Sequence, residues 1–443
     1  MNIYDNYIRA NNANDVVEYF KGTAFNPKID YYNGRMPARQ IKPKLTDYSE
    51  KVYNFIQKIV DFKSQYLFGK GVDFENLDPE NNIGFEDFVI SWEKSKLTNH
   101  YVKLATSLFA YGESAELIAL NDDGSISHIP LLRNETDFFA FFDNDGTLAA
   151  FSNYFTVKEL KGKEIVDVPY CQIYTKEFKY TYKDINGWKL SENPEPILKM
   201  PVVYYSAKSV VERIKNQQDG YNELANELSD VNSQASYPFL VMIGNAINLL
   251  FGGEDMGNKP LSERTTAFMD KLNSGMMKGV VLDGEEKADF KILSWDKEPK
   301  TLMFELENLK TLMYKFTSVP DISLENLKSI TNISGFALQI LFLDAEISKS
   351  TDFGVFFELK RAINLHKYYA KLNVDVKAVT KSFLPKDQAE IITSLAVATT
   401  SGTMSNQTAI AKNPYVTNPE SEKTLIEKEK ETQINDIVGE SYE

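Results

Sequence analysis

Apolar residues along this chain change their period several times, and each change marks a new element. Between 50 and 68, Val52, Phe55, Ile56, Ile59, Val60, Phe62 and Tyr66 recur at helical spacing, and Gly69 and Gly71 end the helix they predict. Residues 85 to 110 carry a second helical pattern that closes at Tyr111-Gly112. From Glu113 the period falls to two, and Asn121-Asp-Asp-Gly124 reads as a hairpin turn before residues 125 to 129. Aromatic and β-branched residues then fill 138 to 142, 151 to 156, 172 to 175 and 178 to 182, with turns at Asp143-Asn-Asp-Gly146 and Asp184-Ile-Asn-Gly187. A helical start followed by an antiparallel β-rich block is the expectation for the first half.

The helical period returns from Ser206 to Ser236, where Val211, Ile214, Tyr221, Leu224, Leu228 and Val231 form a stripe among many Asn, Gln and Asp residues. Residues 237 to 298 read as a small αβ insert, with a strand pair, 279 to 282 and 290 to 293, joined through a turn starting at Asp283-Gly284. Lys300 to Thr317 reads as one amphipathic helix, stopped by Pro320. A polar loop from Ile322 to Asn332 leads into a second long helical pattern, from Phe336 to about residue 373. Further helices are predicted over 388 to 399 and in the Glu- and Lys-rich 420 to 432, the latter fading into an acidic tail. The fold class is therefore α+β.

Composition narrows the chemistry. The 443 residues exceed one ordinary domain, and the 43% apolar content supports sizeable cores. A net charge of −14 disfavours wrapping a nucleic-acid backbone through counterion release, but suits a smooth channel in which each phosphate contact would add friction. Cys171 is the only cysteine, which excludes an intramolecular disulfide and multi-thiolate metal sites; it reads as a small buried hydrophobe. The longest apolar run, Tyr237 to Phe251, is too short and too interrupted to span a bilayer, and the N-terminal residues lack a signal-peptide pattern, so no membrane partner is expected. Gly69-Lys-Gly71 lacks the rest of a phosphate-binding loop. His100, His128 and His366 are scattered at no metal-ligand spacing, so neither a metal nor a cofactor is expected, and His366 reads as a packing or helix-surface residue. Catalysis has no support in the motifs, and the chain is expected not to be an enzyme.

An ordered series of local signatures resembles the portal protein family of tailed phages, of the type found in phages of Gram-positive bacteria. The series is Tyr19-Phe-Lys-Gly22, Ile59-Val-Asp-Phe-Lys-Ser-Gln-Tyr-Leu-Phe-Gly-Lys-Gly71, Ala110-Tyr-Gly-Glu-Ser-Ala-Glu116, Gln218-Asp-Gly-Tyr-Asn-Glu-Leu224, Phe316-Thr-Ser-Val-Pro-Asp-Ile-Ser323, Ser334-Gly-Phe-Ala-Leu338 and Met404-Ser-Asn-Gln-Thr408. Each is weak alone, but together they cover nearly the whole chain. The resemblance implies a ring, a dodecamer in most members, at one capsid vertex, through which double-stranded DNA is packaged and ejected. It implies as partners the terminase large subunit, major capsid and scaffolding proteins, and a head-completion or tail adaptor. The place implied is the portal vertex of the virion, after assembly in the host cytoplasm. Region by region, it implies a wing over 1–210, a stem helix over 211–236, a clip over 237–298 and a second stem helix over 299–318. A tunnel loop over 319–333, a long wing helix over 334–375 and a crown with a flexible acidic tail over 376–443 would complete the protomer.

Candidate functional residues follow from that placement. In the second stem helix Leu302, Met303, Leu306, Leu309, Leu312, Met313 and Phe316 would contact neighbouring subunits, the other reading being core positions of a monomeric bundle. Asn326, Lys328, Ser329, Thr331 and Asn332 would face DNA in the channel, or else belong to a solvated loop. Phe268, Met269, Met276, Met277 and Trp295 would meet the clip's partners or form its own small core. Two other classes compete: another ring-forming virion component of the head–tail connector, and a metal-dependent nuclease built from scattered carboxylates.

Overall fold

A computed structural model describes residues 3–22, 30–37, 51–162, 164–236, 239–243, 278–282, 289–293, 300–321, 340–356, 359–381, 388–416 and 418–440. Helices α1 (Ile3–Ala10) and α2 (Ala13–Phe20) open the chain, the second capped by Asn12, whose side chain accepts from the Asp15 amide. Helix α3 (Phe55–Phe68), strand β1 (Val72–Asn76), helix α4 (Asn82–Lys94) and helix α5 (Thr98–Tyr111) follow. Asn54 and Asn81 cap α3 and α4 by accepting from the amides of Gln57 and Gly84. At the end of α5, Gly112 has φ 86°, and a Cβ there would stand 3.0 Å from the Ala207 carbonyl oxygen. Glycine is what lets the chain turn directly from α5 into the next strand.

That strand is β2 (Glu113–Leu120), followed by β3 (Ile126–Leu132), β4 (Asp137–Phe142), β5 (Leu148–Lys161), β6 (Glu164–Thr175), β7 (Phe178–Asp184), β8 (Trp188–Leu190), β9 (Glu195–Pro196) and β10 (Val202–Ser206). Two antiparallel sheets result, one ordered β10-β2-β3 and the other β4-β5-β6-β7-β8 with β9 on β7. Period-two patterning explains how β2 serves two cores. Ile118 joins the cluster containing Leu104 and Leu108 of α5, while Ala115 joins Phe138 and Phe151 of the second sheet. On its other face the second sheet carries α1 and α2, through Ile8, Val16, Val17 and Phe20 against Ala150, Cys171, Ile173 and Tyr180. Cys171 is buried there, and burial pushes its thiol up to about 12, so it is the small hydrophobe its sequence context suggested.

The second half begins with the 27-residue helix α6 (Val210–Ser236). Strands β11 (Phe239–Ile243), β12 (Lys278–Leu282) and β13 (Asp289–Leu293) come next, then helices α7 (Lys300–Thr317), α8 (Leu343–Val355) and α9 (Leu359–Ala370). Strand β14 (Val376–Thr380) pairs antiparallel with β1, and helices α10 (Gln388–Thr400), α11 (Asn406–Lys412) and α12 (Pro419–Glu440) complete the described chain. The residues group into two units, Met1–Asp321 with Ile347–Lys381, and Ile322–Glu346 with Ser382–Glu443.

One expectation changes here. The strand pair at 279–282 and 290–293 is not a hairpin: β11 lies between them, parallel to β12 and antiparallel to β13. The continuous Phe-Leu-Val-Met-Ile run of β11 is the most strand-prone of the three, and it takes the central place, where both backbone edges are hydrogen-bonded. Of the long helical pattern after residue 336, the described residues form α8 and α9, and the stretch between Phe356 and Leu359 lies outside them.

The polar residues of α6 are structural. Gln218, Asn222, Asn226 and Asp230 recur every fourth residue and are buried. Gln218 accepts from the Phe55 amide at 3.1 Å, Asn222 from the Tyr53 amide at 2.9 Å and Asn226 from the Lys51 amide at 2.9 Å. Asn226 also donates to the Lys51 carbonyl at 2.8 Å. Four residues of helix rise about 6 Å, close to the roughly 6.8 Å spanned by two extended residues, so the helix face satisfies alternate backbone groups of residues 51–55 as a neighbouring strand would.

Candidate functional site

Helix α7 lies against α6: a Cβ on Gly220 would come within 3.6 Å of Leu309 Cδ1, so the missing side chain sets how closely the helices approach. Its C-terminal end is anchored. Met313, Tyr314 and Thr317 are buried, and Met313 and Tyr314 belong to the main core with Ile56 and Ile59 of α3. The helix stops in a motif that satisfies its last carbonyls: the Val319 amide donates to Tyr314 O at 3.1 Å and the Ser318 amide to Lys315 O at 3.2 Å, with Ser318 left-handed at φ 54°. Lys310 then ties the outgoing chain, 3.2 Å from the Asp321 carboxylate and 3.4 Å from Glu307.

Its N-terminal half is different. Met303 is 58% and Phe304 75% exposed, and Phe316 nearer the other end is 49% exposed. Of the stem residues singled out in the sequence, Leu302, Leu306, Leu309 and Leu312 are half-buried and Met313 lies inside the chain's own core. Phe304, exposed beside Met303, lies off the stripe singled out in the sequence. The channel candidates Asn326, Lys328, Ser329, Thr331 and Asn332 and the clip candidates Phe268, Met269, Met276, Met277 and Trp295 lie outside the described residues.

All three histidines of the chain, scattered in sequence, are brought together in one buried group. His100 of α5 places Nε2 2.8 Å from Glu116 Oε2, and His128 of β3 places Nδ1 3.1 Å from the same oxygen. The His128 Nε2 lies 3.1 Å from His366 Nδ1 on α9, and His366 Nε2 lies 3.0 Å from Ser91 Oγ on α4. The Tyr205 hydroxyl donates to Glu116 Oε1 at 2.6 Å. Phe88 and Trp92 wall the group edge-on to the imidazoles. Burial pushes the Glu116 carboxyl up, but hydrogen bonds and charge from His100 and His128 outweigh it and bring it to about 2. Burial, with the His128 ring nearby, lowers His366 to about 4. The sequence signal for this group was Glu116 itself, a carboxylate on the inward phase of a strand between Ser114 and Ile118.

In chain order, the paired helices α6 and α7 enclose a small three-stranded insert that follows an antiparallel β block. A family model described as phage portal protein, SPP1 Gp6-like, matches residues 25–436, and the chain belongs to that family. No individually curated protein matches it by sequence. Among solved structures, the chain is similar to one in the neck of an empty GTA particle computed with C6 symmetry, with TM-score 0.43, 10% identity, and 84% of this chain and 90% of that chain covered. It is also similar to one in the virion of a native gene transfer agent particle, with TM-score 0.41, 10% identity, and coverage of 79% and 86%. A third lies in the neck of a native GTA particle computed with C12 symmetry, with TM-score 0.40, 10% identity, and coverage of 81% and 93%. The assignment rests on the family match.

Proposed function

We propose that copies of this chain close into a ring, a dodecamer, at one vertex of a phage capsid, through which double-stranded DNA is packaged and later ejected. The match to the portal family over residues 25–436 carries this reading. Helix α7 supports it, because Met303 and Phe304 present apolar surface that a single chain leaves in water. Head-to-tail contacts around a closed ring would cover such a surface on every subunit. In this reading the wing is 1–210, the stem helices 211–236 and 299–318, the clip 237–298, the tunnel loop 319–333, the long wing helix 334–375 and the crown 376–443. The ring performs no catalysis; ATP hydrolysis belongs to the terminase docked on the clip, which later gives way to the head-completion or tail adaptor. Capsid and scaffolding proteins surround it during assembly in the host cytoplasm.

Light scattering with negative-stain imaging of the purified chain, alone and with its scaffolding protein, tests the ring. Closed rings with a central hole are expected; a chain monomeric in both conditions would overturn the reading. In the tunnel loop, Lys328→Ala with Asn332→Ala is expected to alter packaging rate or packaged DNA length. Unchanged values of both would remove that loop from DNA contact.

A further inference from the structure

We propose that His100 Nε2, Glu116 Oε2 and His128 Nδ1 bind one divalent transition-metal ion, Zn2+ by preference, as a structural clamp inside the β-rich unit. The three donor atoms lie within 4.8 Å of one another, and each sits on a different element, α5, β2 and β3. Two imidazole nitrogens converge on a single carboxylate oxygen, at 2.8 and 3.1 Å. Lone pair would face lone pair in each contact unless a proton or a cation stands between, and one cation serves both contacts at once. Donors at zinc–ligand distances of about 2.0–2.1 Å stand about 3.3 Å apart in a tetrahedral site, so the two contacts to Glu116 Oε2 would open by a few tenths of an ångström, while the two imidazole nitrogens, within 4.8 Å of one another, would settle to the same spacing.

The donor set selects the ion. Two imidazoles and one carboxylate are borderline ligands that suit Zn2+ better than the all-oxygen shells of Mg2+ or Ca2+. Glu116 is fully buried, and among the described residues no Lys or Arg pairs with it; its partners are His100, His128 and Tyr205, so a bound cation would neutralise it with both imidazoles neutral. The outer contacts are those a metal-bound histidine uses. With the ion on His128 Nδ1, the Nε2 proton points to His366 Nδ1, whose own Nε2 proton points to Ser91 Oγ, fixing both tautomers and the ring plane. Tyr205 holds the other carboxylate oxygen, leaving Oε2 for the ion. Three protein donors leave a fourth position for a water. The Tyr101 ring packs edge-on to His100 with centroids 5.1 Å apart, and its buried hydroxyl has no hydrogen-bond partner among the described residues. Glu116 and His100 are sealed from solvent, so no polymeric substrate reaches this ion and its role is to join elements.

The test uses the full chain expressed in zinc-supplemented medium and exchanged into metal-free buffer. About one zinc per chain by elemental analysis is expected, with a melting temperature that falls on chelation and recovers with Zn2+. Protein produced with Co2+ should show visible ligand-field bands of nitrogen and oxygen ligation, which report the donors directly, whatever the stability of a variant. Glu116→Gln keeps the side chain's shape and should abolish both the zinc and the bands. His366→Gln leaves the donors in place and should weaken zinc binding by about 10–100-fold. Wild-type protein without zinc whose melting is indifferent to chelator would overturn the proposal. So would zinc or cobalt binding that survives Glu116→Gln, which would place the ion elsewhere.

Discussion

Ser318 and Lys371 end their helices with φ of 54° and 57°, a left-handed conformation in which a Cβ is crowded. At both positions the backbone closes the same way, since Val319 donates to Tyr314 O and Leu372 donates to Lys367 O. Glycine removes the crowding but adds freedom to the unfolded chain, and the first effect wins where φ is positive. Ser318→Gly is therefore expected to stabilise the protein by about 0.5 kcal/mol in urea unfolding, with Lys371→Gly similar; a loss of stability in both would show that their side chains hold contacts worth more than the strain. Neither left-handed residue could be read beforehand, because only the helix end was legible, at Pro320. The buried histidine group was hidden for a related reason. His100, His128 and His366 meet only when α5, β3 and α9 pack, and spacing along the chain carries no trace of that.

Helix α6 shows what pattern reading resolves in an element and what it misreads. Its apolar stripe reads as helical and is, but hydropathy does not show that the four-residue spacing of Gln218, Asn222, Asn226 and Asp230 marks a second buried face. The partner that face serves is residues 51–55, some 170 positions earlier, which hydropathy cannot link to it. Asn226→Ala removes both hydrogen bonds to the part-buried Lys51 backbone, at a cost of about 1–2 kcal/mol. The local readout is sharper than the global one. Hydrogen exchange at the Lys51 amide should accelerate in Asn226→Ala, while the Phe55 amide, held by Gln218, stays protected. Equal acceleration at both amides would mean that residues 51–55 detach as a unit and that no single rung holds its own position. The β elements were legible as far as local turns fixed them. Strand β11 was not, because it enters its sheet between β12 and β13 rather than beside a sequence neighbour.

For the whole molecule, Met303 and Phe304 are the positions where folding of one chain and assembly of many can be separated. In a single chain they are 58% and 75% exposed, so charged residues there cost the fold little, within about 0.5 kcal/mol for surface sites. In a ring whose neighbours cover α7, each subunit would bury that pair, and losing a buried Phe or Met forfeits about 1.5–3 kcal/mol before the added cost of desolvating a charge. Because closure repeats the contact at every interface, the penalty is multiplied around the ring while the fold pays almost nothing. Met303→Glu with Phe304→Glu is therefore expected to leave the circular dichroism spectrum and unfolding midpoint unchanged and to shift light-scattering mass from rings to monomers. Rings that persist at wild-type abundance would place the subunit contact elsewhere. The cross-strand pair Leu160 and Ile165, 73% and 72% exposed near the end of the β5–β6 hairpin, would then be the next apolar surface to charge. A variant that lost both rings and its unfolding midpoint would instead show that the N-terminal half of α7 supports the protomer itself, in conflict with the exposure of these two side chains.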